Sequence, residues 1–372
     1  MRKTPSPRRR SSRRHVNDPR QFPGLLRAHA LLIVFSLLAS SVTVMVRSTA
    51  RSAASVGGRS PAPVLGLGAA IGPVPSSAPS QPPDPLDARL AAAGYGLSPH
   101  ALVYGAEVVG GPNGPTYRPF EAGEGALAED FWPASSIKVL AALGALDFAR
   151  SLGFTGDALV VFNIGERART LRSIYEAAIR DSSNADYDLL VQIAGRDRLN
   201  SQFLTAAHGF PATSITRSYA GADFDTSPPM IMEQGDRRTY VPERSAVLKP
   251  ECRAGNCSNL FEMTESVRRV VLNDEIPPFE RFDIDTRDVA GLRQALLGAD
   301  GFFPAAVAAT LGTGARIYAK PGDAADRDCL DIALIESTTG RRYLLAASVP
   351  HSEGGCDALR ALATSVLRVV AA

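Results

Sequence analysis

The stretch that decides the reading is Phe131-Trp-Pro-Ala-Ser-Ser-Ile-Lys138, followed without a break by Val-Leu-Ala-Ala-Leu-Gly-Ala-Leu. The run is apolar and Ala-rich on all sides, which predicts a helix over 134–152, largely buried on several faces. Within it Ser135 and Lys138 stand three residues apart. At helical pitch, positions i and i+3 share a face, which brings Lys138 Nζ within reach of Ser135 Oγ. A serine hydroxyl is a poor nucleophile until a neighbouring base takes its proton. An ammonium among apolar groups and other cations gives up its proton more readily. Ser135 is therefore a candidate nucleophile and Lys138 its candidate base.

Lysine usage sharpens this. Among 40 basic residues only Lys3, Lys138, Lys249 and Lys320 are lysines. Guanidinium stays protonated at any working pH, whereas a desolvated ammonium does not, so each lysine in such a chain invites a chemical question. Lys320 opens a second short pattern, Lys320-Pro-Gly322, at the end of a strand predicted over 315–320. A third pattern lies between helices predicted over 171–180 and 187–193, where Asp181-Ser-Ser-Asn184 supplies S-x-N at Ser182 and Asn184. Lys249, in a loop bounded by Pro and Cys, reads as solvent-exposed.

The succession S-x-x-K, S-x-N, K-x-G resembles the motif order of penicillin-binding proteins and class A β-lactamases. The likeness extends past the three motifs. Ser182-Ser-Asn-Ala-Asp-Tyr-Asp-Leu-Leu190 is similar to the S-D-N-x-A-x-N-L-L stretch of the class A enzymes, and Asp331-Ile-Ala-Leu-Ile335 resembles their strand N-D-I-A-V-I. It covers 86–372, with 210–258 fitting poorly.

The resemblance implies roles. Ser135 would attack an amide carbonyl with Lys138 as base or proton relay. Ser182 would pass a proton to the leaving nitrogen and link Lys138 to Lys320. Asn184 would hold the amide side chain of the substrate, and Lys320 would supply positive potential for a substrate carboxylate. Gly322 completes the third motif. The oxyanion would be received by the backbone N–H groups of Ser135 and Asp323. The implied substrate is a β-lactam or a peptidoglycan stem peptide, with no cofactor and no metal.

Two departures from the family pattern stand out. Pro321 occupies the middle of the third motif, where Thr or Ser is usual, and removes a hydroxyl and a strand N–H. The E-x-x-L-N loop, whose glutamate activates the deacylating water in class A enzymes, has no counterpart. The corresponding stretch Ser214-Ile-Thr-Arg-Ser-Tyr-Ala-Gly-Ala-Asp223 holds no glutamate, and the nearest acids are Asp223, Asp225, Glu233 and Glu243. A slowly deacylating D,D-peptidase-like enzyme, or an inactive wall-binding domain of the same fold, are the alternatives this raises.

The rest of the chain sets the context. Residues 1–27 carry nine basic side chains against Asp18, a net of about +8, which leaves about −6 for the remainder of a chain whose total is +2. The basic character belongs to the tail, so nucleic acid is not an expected partner. Residues 28–46 are predominantly apolar, with His29 as the only ionisable group, and long enough for a membrane anchor. Arginines on one side predict a cytoplasmic N-terminus, with residues 86–372 extracytoplasmic. A cleaved signal peptide is the other reading. Residues 47–85, rich in Ser, Ala, Gly and Pro, read as a spacer.

Within 86–372, a helix is expected over 86–93 and strands over 101–109 and 116–119. Further helices are expected over 260–272, 288–297 and 356–370, with strands over 330–337 and 342–349. The order implies an α/β fold in which both chain ends build one antiparallel sheet flanked by helices, with an all-helical subdomain between. Four cysteines in an exported domain suggest two disulfides, most simply Cys252–Cys257 and Cys329–Cys356, with the other two pairings left open. Zinc is disfavoured because neither pair has CxxC spacing. Trp132 reads as core, and His100, His208 and His351 as isolated.

Overall fold

The computed structural model describes residues 74–372, except Ser77, 112–113, 129–130, 163–167 and Asp326. The basic tail expected over 1–27 and the anchor expected over 28–46 lie outside the described residues, as does most of the spacer. Among the described residues no helix is long and apolar enough to cross a membrane.

In chain order, a short strand β1 (Asp84–Pro85) leads into α1 (Asp87–Ala92), then β2 (Leu102–Val109) and β3 (Thr116–Ala122). A 3-10 turn, Ala134–Ile137, opens α2 (Lys138–Ser151). The expected helix is thus a tight turn followed by an α-helix, with the junction between Ser135 and Lys138. The short strands β4 (Leu159–Val161) and β5 (Arg169–Thr170) precede α3 (Leu171–Arg180) and α4 (Asn184–Ala194). Thr170 caps α3 by accepting from Ser173 N at 3.1 Å, and Ser183 caps α4 by accepting from Asp186 N at 3.2 Å. With Ser183 as the cap, α4 starts three residues earlier than its apolar periodicity implies.

The second half holds a hairpin, β6 (Met230–Gln234) and β7 (Arg237–Val241), then α5 (Leu260–Val271), α6 (Thr286–Leu297) and α7 (Pro304–Leu311). Three long strands follow, β8 (Arg316–Asp323), β9 (Asp328–Glu336) and β10 (Arg342–Pro350), and α8 (Gly355–Ala371) closes the chain. The hairpin and α7 are absent from the sequence-based expectation. The hairpin extends a small sheet in the order β5-β4-β6-β7, and α7 packs on α8.

The main sheet runs β1-β3-β2-β10-β9-β8. All its pairings are antiparallel except β1 with β3. Both chain ends therefore build it, as the element order implies. Both faces are covered, so β9 and β10 are apolar nearly throughout rather than alternating. Ile332, Leu334, Leu344 and Ala346 face the helical side of the molecule, while Ala333, Ile335, Tyr343, Leu345 and Ala347 pack under α1, α7 and α8. α5 lies between the sheet and the other helices, and every one of its residues is buried. Its polar side chains find partners: Arg268 bonds Glu265 and, outside the helix, Glu280 at 2.6 Å and the Tyr117 hydroxyl at 2.9 Å.

Both simplest disulfides are formed. Cys252–Cys257 closes a short loop, and Cys329–Cys356 ties β9 to α8. Cys329 is paired across the ladder with Asp323, so this second bridge sits beside the end of the third motif.

Candidate active site

Two non-glycine residues among those described have a positive φ, Ala134 at 42° and Ser182 at 53°. Such backbone costs about 1–3 kcal/mol and persists only where its surroundings enforce it. Both flank Lys138, Ala134 in the turn that opens its helix and Ser182 in hydrogen-bond contact with its Nζ. Ala134 precedes the half-buried Ser135, and the Ser136 hydroxyl ties the turn together by donating to Pro133 O at 2.5 Å. The turn packs directly on β8. A Cβ on Gly322 would stand 3.0 Å from Leu330 and 3.1 Å from the Ala134 methyl, so only glycine lets the strand approach the Ser135 turn this closely.

Lys138 is fully buried in the first turn of α2. Its Nζ donates to Ser182 O at 2.6 Å, Ser182 Oγ at 3.2 Å and Asn184 Oδ1 at 2.7 Å. The left-handed backbone of Ser182 is what lets its carbonyl and its hydroxyl both face this ammonium. Three acceptors use all three ammonium protons. Among the described residues Ser135 Oγ has no hydrogen-bond partner, so the direct Lys138–Ser135 contact expected from the spacing is not made at rest. Loss of the Lys138 proton frees a lone pair for the serine, and catalytic contacts of this kind often tighten only once substrate is bound.

Lys320 is also fully buried, and its Nζ donates to Ser182 Oγ and to Pro321 O, both at 3.0 Å. Ser182 Oγ thus receives both lysines on its two lone pairs, leaving its own proton to point elsewhere. Burial, then the positive charge of Lys320, push Lys138 down to about 7; burial pushes Lys320 down to about 8. Lys138, Ser182, Asn184 and Lys320 are brought together beside the Ser135 turn. Asn184 spends its side-chain oxygen on Lys138, which leaves only its NH2 for a ligand.

β8 is an edge strand. That explains Pro321, since proline is accommodated in a sheet where its missing N–H faces no partner. The Pro321 carbonyl turns to Lys320 Nζ, away from β9. Polar groups alternate sides along a strand, so the N–H of Asp323 points to the same open edge. Ser135, in the opening turn of its helix, has an N–H with no intrahelical acceptor. The Asp323 carboxylate is bonded to His351 Nε2 at 2.8 Å, so His351 is not isolated. Asp323, His351 and Cys356 come together, but the Cys356 sulfur is committed to a disulfide and offers no thiolate to a metal.

The loop after residue 214 supplies what sequence reading missed. The buried carboxylate of Asp188 accepts from Ser218 Oγ at 2.5 Å, Tyr219 N and Ala220 N at 2.9 Å, and Ala222 N at 3.1 Å. The loop is thereby folded against α4. Its Tyr219 ring stacks on Tyr187, lies 5.7 Å from Lys138 Nζ, and its hydroxyl donates to Ala134 O at 2.8 Å. The acids nearest in sequence are engaged elsewhere or exposed. Asp225 pairs with Arg196, Glu233 with Arg238 at 2.9 Å, Asp223 bonds Asp225 N at 2.8 Å, and Glu243 is exposed. Among the described residues no carboxylate touches Ser135, Lys138 or Ser182. Asp188, inside the stretch likened to the class A pattern, was the available signal for the loop.

No family model and no curated protein matches the sequence. Solved structures do. A class A β-lactamase from Mycobacterium abscessus superposes with a TM-score of 0.52 at 16% identity, covering 77% of this chain and 99% of its own. A β-lactamase from Burkholderia vietnamiensis gives 0.51 at 17% identity over 76% and 93%. PBP-A gives 0.52 at 15% identity over 78% and 98%. At such identities the likeness carries the fold. The chain has the fold of the serine β-lactamases and penicillin-binding proteins.

Proposed function

We propose that this chain is a serine acyl-transfer enzyme, acylated at Ser135 by β-lactam or peptidoglycan-type amide substrates. The observation that carries the reading is the bridge at Ser182, whose hydroxyl lies between two buried lysines beside the Ser135 turn. Neutral Lys138 would take the Ser135 proton as Oγ adds to the carbonyl carbon. The oxyanion would rest on the N–H groups of Ser135 and Asp323. As the C–N bond breaks, Ser182 would give its proton to the nitrogen and recover one from the Lys138 ammonium. Lys320 stays charged and faces the carboxylate of the substrate. Water would then release the acyl group from Ser135.

The release step divides two versions. The loop facing Lys138 presents a phenol ring, and the Asp188 carboxylate is saturated by four donors. These observations favour slow deacylation, as in a D,D-peptidase-like enzyme, over rapid β-lactam turnover. The apolar segment 28–46 would hold the catalytic domain on the outer side of a membrane, reached through the spacer. Protease protection of the tail in sealed cells tests that placement.

Incubating the full chain with a penicillin and weighing the intact protein tests the activity. A stable adduct, lost in Ser135→Ala, supports the peptidase-like version, and rapid colour loss from a chromogenic cephalosporin supports a β-lactamase. No adduct at any concentration overturns the enzyme reading in favour of a wall-binding domain.

A further inference from the structure

Trp132, the only tryptophan of the chain, lies three residues before Ser135. Its ring is buried among Ala134, Cys257, Ala324 and Leu330, as a core residue would be. Yet two guanidinium groups lie over it, those of Arg217 and Arg327, each 5.0 Å from the ring centroid. Both arginines are exposed. Arg217 belongs to the loop that Tyr219 ties to the Ser135 turn. Arg327 belongs to the hairpin joining β8 to β9, four residues past Asp323.

Elsewhere in the molecule Arg172, Arg196 and Arg268 pair with carboxylates. Among the described residues neither the Arg217 nor the Arg327 guanidinium has a carboxylate or hydrogen-bond partner. The aromatic face holds them instead, which restrains the planar groups and leaves their N–H edges unused. They stand within twice that ring distance of each other, so they repel. The nearest described acid on β8, Asp323, is bonded to His351. Two cations restrained on one ring, with no carboxylate partner among the described residues, are suited to an anion that lies between them.

Their position says which part of a substrate they meet. In the proposed reaction Ser182 and Lys320 stand on the leaving-nitrogen side of the attacked carbonyl. The groups on the acyl side therefore extend the other way along β8, past Asp323 and toward Arg327.

We infer that Arg217 and Arg327, held over Trp132, form a subsite for a carboxylate on the acyl side of the scissile bond, selecting substrates with an anionic acyl side chain. This rests on Ser135 acylation as proposed above. The test compares benzylpenicillin with its α-carboxy derivative, which differ by one carboxylate on the acyl side chain. With the full chain, the α-carboxy compound should acylate Ser135 about tenfold faster, and raising salt should shrink that preference. In the variant Arg217→Gln/Arg327→Gln the ratio of the two rates should fall to near one. Equal rates in the unmutated protein, or a ratio unchanged in the variant or by salt, overturn the subsite while leaving acylation at Ser135 standing. Failure of both compounds to acylate overturns the acyl-enzyme reading, and the subsite with it.

Discussion

The Tyr219 hydroxyl donates to the carbonyl of Ala134, the residue whose left-handed backbone sets up the Ser135 turn. A loop from the middle of the chain is thus fastened to the candidate nucleophile by one phenol. Tyr219→Phe keeps the ring over Lys138 and its stack on Tyr187 but deletes the bond. The expected loss is about 1 kcal/mol, felt as a roughly fivefold slower acylation of Ser135. Pre-steady-state acylation by a reporter penicillin measures it. An unchanged rate would show that the turn holds its shape without the loop.

Lys138 gives the pH dependence. Its proton must be absent for it to accept one from Ser135, so acylation should rise with pH through about 7. It should fall again as Lys320, at about 8, loses the charge that attracts an anionic substrate. Stability follows the same groups. Both lysines titrate lower in the folded chain than in the unfolded one, so between about 7 and 10.5 the unfolded chain binds more protons. Their contribution to stability therefore increases as pH rises through that window, and below it the full cost of burying charge is present. Lys138→Met should abolish acylation and flatten the rise in unfolding free energy between pH 7 and 9. Urea denaturation across that range reads the second effect.

Gly322→Ala tests the approach of β8 to the Ser135 turn. The added methyl would press on Leu330 and on Ala134 at 3.0–3.1 Å, where strand and turn have no slack. Overpacking of this kind costs about 1–3 kcal/mol. Acylation should fall by more than stability explains, because the displaced element carries the nucleophile and one oxyanion donor. A variant as stable and as active as the parent would mean that the turn yields freely.

Much of this architecture can be read from residue order. Long apolar runs mark β9 and β10, and the three short motifs mark the ends of the elements that meet around Lys138 and Ser182. What escaped reading shares a physical cause. The path of the loop over 214–225 follows from side-chain-to-backbone bonds made by Asp188, not from any periodicity of its own residues. α7 is eight residues, half of them alanine, too short and too uniform to show a face. The turn at Ser182 is left-handed against the preference of serine, a conformation that only the packing around Lys138 reveals. Trp132 reads correctly as core, but the two arginines over it come from segments 85 and 195 residues later, which spacing cannot bring together.

Asp188 is where the loop and the electrostatics of the site can be separated. Its carboxylate accepts from three backbone N–H groups and a hydroxyl, and its negative charge helps keep Lys138 protonated. Asp188→Ala leaves those four donors without their acceptor, at a cost of about 3 kcal/mol. Amide exchange over 218–222 should rise by orders of magnitude, and Tyr219 should leave its place over Lys138. Asp188→Asn removes the charge and keeps one acceptor oxygen, which can serve Ser218, Ala220 and Ala222 while its NH2 is set against the Tyr219 N–H. The loop should then exchange less than in Asp188→Ala, while the rising limb of the acylation profile moves to lower pH, because Lys138 has lost a stabilising anion. If both variants exchange as the parent does and the profile does not move, Asp188 acts on neither.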